Sequence, residues 1–290
     1  MDRYRLFVQG KIFSIAIPNT ILSDSTHLRD KTTKIGTIAR ICSIFKVNSV
    51  YIYKDNNEKF GEEDIIKTIL EYLDTPQYLR KHFYGINPIL SYAGLLPPLR
   101  TPHHKLAESH LTIKSGDYRD GFIVEKNGET YADVGLPELI PIDGKAPKQL
   151  RITVKFISEY PELRCKLIRR EDVNEYWGYE VRTVSSITDY ISASHSDMII
   201  LTSRKGRSIV DMWWEIISEI REKNNVGVVF GSPKHGIYEM LSKEGVKPES
   251  LSKYIMNIVP QQGVATIRSE EAILSTLTIL NLAINLGKQM

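Results

Sequence analysis

Short β-branched, apolar runs that end in glycine or proline, each followed by a helical pattern, constrain this chain more than any other feature. The plainest cases lie between Val226 and Leu286. Val226-Gly-Val-Val-Phe-Gly231 gives way to Ser232-Pro-Lys-His-Gly-Ile237, and Tyr254-Ile-Met-Asn-Ile-Val-Pro260 leads into Gln261-Gln-Gly263-Val-Ala-Thr-Ile-Arg268. Apolar runs of this length with helices between them belong to buried parallel strands. In open α/β sheets ligands collect at the carboxyl ends of such strands. The loops at 231–236 and 260–268 are therefore the first candidate pocket.

The same alternation opens the chain. Lys11 to Ile17 reads as a strand closed by Pro18-Asn19. Ile35, Ile38, Ala39, Ile41, Cys42 and Phe45 fall at helical spacing over Lys34 to Phe45, and Val47 to Tyr53 is a second strand. Glu62 to Tyr72 is amphipathic, and Pro76 to Tyr84 reads as a short helix. After Asn174 the pattern resumes with a strand at Glu180 to Val184, a short helix at Ser186 to Ser192, and a buried-type strand at Asp197 to Thr202. Ser203-Arg-Lys-Gly206 is its turn, and Ile209 to Arg221 is amphipathic with Trp214 off the apolar stripe. The last helix, Ser269 to Leu286, opens on a serine N-cap followed by Glu270 and Glu271, which suit the helix dipole. Its apolar residues cover much of its circumference, as in a helix that is deeply seated or covered by a second subunit.

Between these parts the chain changes character. Pro88, Pro97, Pro98 and Pro102 break regular structure and mark a domain exit. Leu111 to Ile113, Gly121 to Val124, Thr130 to Val134, Leu150 to Ile157 and Cys165 to Ile168 read as about five short strands, with the hairpin dipeptide Asn127-Gly128 between the second and third. They fit a small all-β barrel of OB type at 101–170, inserted into an α/β domain made of 1–100 and 171–290. Such barrels bind single-stranded nucleic acid through basic grooves and stacking aromatics. Lys148, Arg151, Lys155 and Arg169 are the candidate RNA contacts, with Tyr118, Phe122 and Tyr131 nearby.

Several classes are excluded or disfavoured. Net charge is only +3, although residues 1–54 hold nine Lys/Arg against three acids, Asp2, Asp24 and Asp30. No apolar run approaches the roughly 20 residues of a membrane span, and the N-terminus has no signal-peptide core, so a cytoplasmic protein is expected. Cys42 and Cys165 are the only cysteines and make no zinc cluster or disulfide framework. His103-His104 lacks a third ligand, so no metal is expected. No phosphate-binding glycine motif occurs, and none of the seven histidines stands in a convincing general-base motif.

Asn257-Ile-Val-Pro260, Gly263, and Thr266-Ile-Arg-Ser-Glu-Glu-Ala272 opening an apolar helix resemble the C-terminal signature of the SPOUT methyltransferases. At the other end Gly36-Thr-Ile-Ala-Arg40, Phe45-Lys-Val47 and Val50-Tyr-Ile resemble the first motif of their TrmH-like group, with Lys46 where Gly is usual. Tyr176-Trp-Gly-Tyr179 and Val181-Arg182 are similar to the archaeal and eukaryotic branch that carries an OB-like barrel. The resemblance implies a parallel sheet with a C-terminal trefoil knot, a homodimer, S-adenosylmethionine as methyl donor and a structured RNA as acceptor. It assigns the donor to Gly231, Ile258, Pro260, Gly263, Ala265 and Thr266, with Thr202 and Ser203 as the remaining wall and Asn257 close by. It also implies that Arg40, from the other subunit, sits near the acceptor, where it could bind a phosphate bidentately or help activate the nucleophile. Arg268 is the second catalytic candidate. It stands where TrmH-like enzymes carry Asn, which leaves both a ribose 2′-oxygen and a base nitrogen open as acceptor. A non-catalytic RNA-binding scaffold with the same fold is the alternative reading.

Overall fold

The computed structural model describes residues 11–55, 61–105, 110–144 and 151–286. In chain order its elements are β1 (Ile12–Pro18), α1 (Leu28–Ile44), β2 (Ser49–Tyr53), α2 (Glu63–Asp74) and α3 (Arg80–Phe83). Then come β3 (Tyr118–Lys126), β4 (Glu129–Asp133), β5 (Ile140–Asp143), β6 (Arg151–Phe156) and β7 (Cys165–Ile168). β8 (Glu180–Val184), α4 (Ile187–Ser194), β9 (Met198–Ser208), α5 (Ile209–Glu222) and β10 (Asn225–Val229) follow. The chain closes with α6 (Ile237–Lys243), α7 (Pro248–Leu251), β11 (Tyr254–Asn257) and α8 (Ser269–Leu286). The described residues form two compact units, one of Tyr72–Pro88 and Pro98–Gly178, the other of the residues up to Glu71, Ile89–Pro97 and those from Tyr179 on. The first unit thus takes in segments on both sides of the 101–170 stretch.

The larger unit is a six-stranded parallel sheet in the order β11-β9-β10-β1-β2-β8. β1 buries every residue from Ser14 to Pro18, as a central strand covered on both faces must. On one face Ala16, Tyr51, Leu201 and Val229 pack with Ile187 and Tyr190 of α4 and Ile237, Met240 and Leu241 of α6. The alternate positions Ile15, Ile17, Ile52, Ile200 and Val228 are also buried. α8 packs against α1 and α5.

The other unit holds a closed barrel in the order β3-β4-β5-β7-β6. Asn127 (φ 53°) and Gly128 (φ 79°) both take the left-handed conformation that a two-residue hairpin turn requires between β3 and β4. Ile123, Ala132, Ile140, Val154, Phe156 and Cys165 fill the barrel.

Three sequence expectations are corrected and one strand is added. Ser203–Gly206 is not a turn: β9 runs on to Ser208. Leu111–Ile113 is not a strand, since His110–Thr112 forms a 3-10 turn. The barrel strand the sequence did not reveal is β5, whose Pro141 disguises it. Ser269 is the first residue of α8 rather than its cap; the backbone N–H of Arg268 donates to Glu271 Oε2 (2.9 Å), a carboxylate reaching back over the first turn. No described helix is long and apolar enough to cross a membrane.

Candidate active site at the carboxyl edge of the sheet

A bulged stretch within β9 and the loops that leave β10 and β11 line a cavity of about 290 Å³. That is near the lower end of the range for small-molecule sites, roughly 300–1,000 Å³. Its wall begins with a register jump. Leu201 pairs with Ile255, yet the next pairs are Arg207 with Met256 and Ser208 with Asn257, so Thr202 to Gly206 is looped out of the β9/β11 ladder. Gly206 makes the jump feasible. A Cβ there would lie 2.5 Å from the carbonyl oxygen of Ile255 and 2.8 Å from the nitrogen of Met256.

The looped-out segment is stapled to its surroundings. Thr202 Oγ1 donates to Val229 O (2.9 Å), Arg204 Nη1 to Ala265 O (2.7 Å), and Asn257 Nδ2 to Arg204 O (3.2 Å). Gln262 Nε2 donates to Val264 O and Ala265 O, which shapes the loop after β11. Buried Tyr53 donates to Phe230 O (2.6 Å) and fixes the start of the loop after β10. Burial, with Asp55 and Glu244 adding to it, holds the Tyr53 hydroxyl protonated well beyond the usual phenol range. At Gly231 a Cβ would come 2.9 Å from His235 O, so this turn also needs glycine.

Thr202, Ser203, Gly231, Asn257, Ile258, Ala265 and Thr266 line the cavity together. Pro260 and Gly263 lie in the same loop but off the lining. The sequence did not single out Arg204, Lys205, Tyr238, Glu239 or Gln262, which also line it. The first two were hidden by reading 203–206 as a turn. Arg268 is exposed and off the lining, at the start of α8. Arg40 is exposed on α1, twelve residues below its first residue and so about 18 Å down the helix axis. α1 runs back from the carboxyl edge of the sheet, and Arg40 therefore lies away from the cavity of its own chain.

In the barrel unit the candidate RNA contacts part company. Lys148 lies outside the described residues. Arg151 is committed inward: Nη1 donates to Asp74 Oδ2 (2.8 Å) and Nη2 to Asp120 Oδ2 (2.6 Å). Arg170 Nη2 donates to Asp74 Oδ2 (3.0 Å), His103 Nε2 to Asp74 O (2.8 Å), and Trp177 Nε1 to Asp120 Oδ1 (2.6 Å). Burial pushes both carboxyls up, but it is outweighed, at Asp74 by Arg170 and Arg151 and at Asp120 chiefly by Arg151, so both stay below the usual carboxylate range. Gly178 (φ 81°) closes over this cluster; a Cβ there would meet Asp74 Oδ1 at 2.0 Å. Lys155 pairs across the sheet with Tyr118 on β3 and Lys166 on β7, which puts the three on one face of the barrel wall. Lys155 Nζ stands 5.5 Å from the Tyr118 ring centroid. Arg169 is exposed and paired with Asp172 (2.9 Å). Among the described residues no group of three His, Cys, Asp or Glu could hold a metal ion.

Comparison with known proteins adds the following. The model of the family described as "Putative RNA methyltransferase" matches residues 12–280. A Drosophila melanogaster protein named 28S rRNA (uridine-N(3))-methyltransferase is 32% identical, over 92% of this chain and 61% of its own length. The human protein of the same name is 28% identical, over 92% of this chain and 77% of its own. Among solved structures, a "probable methylase family protein" of Haemophilus influenzae covers 96% of this chain and 69% of its own, at 11% identity and a TM-score of 0.41.

Proposed function

The chain belongs to this family of RNA methyltransferases, and from that premise we propose that it transfers a methyl group from S-adenosylmethionine to N3 of a uridine in ribosomal RNA. The uridine N3 reading follows the names of the Drosophila and human relatives. The observation that carries the donor site is the cavity: a bulge of β9 and two loops at the carboxyl edge of a parallel sheet, with glycines at 206 and 231 where a Cβ would obstruct the backbone.

The lining suits an adenosyl group. Ile258 and Met256 offer apolar wall, and the turns at Gly231 and after β11 supply backbone donors and acceptors for adenine. Thr202, Ser203, Gly231, Asn257, Ile258, Ala265 and Thr266 would hold the donor, with Glu239 and Lys205 at hand for its charged end. When bound, S-adenosylmethionine supplies an electrophilic methyl group. The protein's part is then alignment and proton removal. In this reading the loops 202–206 and 258–268 form the knotted cradle of the SPOUT fold, and the barrel is an OB-type module. Its outer row of Tyr118, Lys155 and Lys166 combines an aromatic face with two cations, which suits single-stranded RNA.

A homodimer completes the site. Val210 and Trp214 on α5 are 70% and 68% exposed, and Leu274 and Leu282 on α8, which packs against α5, are exposed too. A second copy covering these residues could bring its Arg40 to the acceptor, which the chain's own Arg40 does not reach. Calorimetry with S-adenosylmethionine and transfer of labelled methyl to ribosomal RNA test the proposal. Micromolar binding and label in 3-methyluridine are expected, and Arg40→Ala should lower transfer while sparing donor binding. A folded protein that binds no donor overturns it.

A further inference from the structure

Beside the cavity, the carboxyl edge of the sheet carries a second cluster. Asp55, just beyond β2, is 3% exposed. It accepts a hydrogen bond from Thr20 Oγ1 (2.8 Å), beyond β1, and its backbone N–H donates to Asn19 Oδ1 (3.0 Å). Its Oδ2 stands 3.4 Å from Nδ1 of His235 in the loop after β10. That Nδ1 is buried and makes no hydrogen bond, while the His235 side chain as a whole is 27% exposed. Lys234 and Gly236, on either side of His235, line the cavity. The His235 backbone is held by Ser232, and Gly236 N–H by Glu239 Oε2 of α6 (3.2 Å). His235 itself is not part of the lining, but a buried carboxylate behind one ring nitrogen of a partly exposed imidazole, in a loop whose neighbouring residues line a ligand cavity, is the arrangement of an oriented proton acceptor. Its contact to the carboxylate is long, as such contacts often are before substrate binds.

We propose that His235, oriented by Asp55, accepts the proton of the uridine base that is methylated. The inference rests on the methyl-transfer reading above. The N3–H bond of uracil breaks and its proton passes to Nε2 of His235. The freed N3 pair forms the bond to the methyl carbon, and the electrons of the carbon–sulfur bond leave with sulfur. Asp55 is a positioning residue: it selects the tautomer with the proton on Nδ1 and stabilises the charged ring as it forms. Asp55 is the charged group that meets the imidazole (3.4 Å), while Lys234 precedes it in the loop and Glu239 of α6 binds the Gly236 backbone.

Single-turnover methylation of ribosomal RNA should rise with pH, with the same midpoint as the ring of His235 shows by NMR in the protein alone. His235→Ala and His235→Gln should each slow transfer about 10²- to 10⁴-fold with donor and RNA affinities unchanged. Asp55→Asn should slow transfer too, and NMR of the ring should show the proton no longer fixed on Nδ1. Transfer within threefold of wild type in both His235 variants overturns the inference, as does a ring tautomer unchanged by Asp55→Asn. A folded wild-type protein that transfers no methyl to any RNA overturns the underlying reading as well, which separates the two failures.

Discussion

The two units bury polarity in opposite ways. In the sheet unit the cavity wall is built from backbone carbonyls, glycines and neutral side chains, and its charged residues Arg204, Lys205, Lys234 and Glu239 are all exposed. In the barrel unit two carboxylates and two guanidiniums are packed together, and Asp74 and Asp120 are almost wholly enclosed. Burying charge is tolerated only with partners in good geometry, and removing one partner strands the others. A binding site made of turns can instead accept or release a ligand without stranding charge. The barrel's polarity therefore holds the barrel together, whereas the sheet's polarity is arranged around a space.

The sharpest way to break this contrast is Asp74→Ala. It leaves Arg151 and Arg170 without their shared carboxylate and should cost about 3–5 kcal/mol. Hydrogen exchange should quicken over 118–168 while β9 and β10 stay protected; equal quickening in both would erase the distinction. Gly206→Ala is the counterpart in the sheet. Forcing a Cβ against the Ile255 carbonyl should cost about 1–3 kcal/mol, and calorimetry should show the loss concentrated in donor binding.

Acid provides a third probe. Burial, helped by His103, lowers the His104 ring to about 4, and Asp74 and Asp120 are lowered as well. The unfolded barrel therefore binds more protons than the folded one in acid. Its stability is complete above about pH 6.5, falls toward pH 4 as His104 resists charging, and falls further once the carboxylates protonate. In the sheet unit the deeply buried shifted groups, Cys42, Tyr53 and Tyr190, titrate on the alkaline side, and a lowered carboxyl is found at the surface, at Glu219 beside Lys253 and Lys223. Trp177 fluorescence in a Trp213→Phe/Trp214→Phe background should report acid melting of the barrel first. The smallest effect is expected from Lys155→Ala, about tenfold or less in RNA affinity, with the salt slope reduced by about one and the melting temperature unchanged.

Much of the sheet was legible because its signals are local. β1, α1 and β2 follow from runs and spacing, and α8 was bounded at Ser269 and Leu286 by its polar opening and apolar length. α1 begins at Leu28, earlier than expected, because its first turn is polar and carries no apolar period. The loops after β10 and β11 were placed by turn residues alone. The loop-out of 202–206 was not legible, since it depends on which residues of β11 a distant strand meets. The same holds for Arg151. Its spacing among basic residues resembles a nucleic-acid surface, and only the fold brings Asp74 and Asp120 to it. His235 and Asp55 lie 180 positions apart and share no motif.

The β9/β11 ladder reads straight across once Thr202–Gly206 is ignored, with Leu201 and Arg207 facing consecutive partners. Those residues are surplus chain that the hydrogen-bonding of the sheet does not require. Shortening or rewriting that hem should yield a protein that still folds but has lost the wall of the proposed donor site, so architecture and ligand preference can drift apart through edits to a single span.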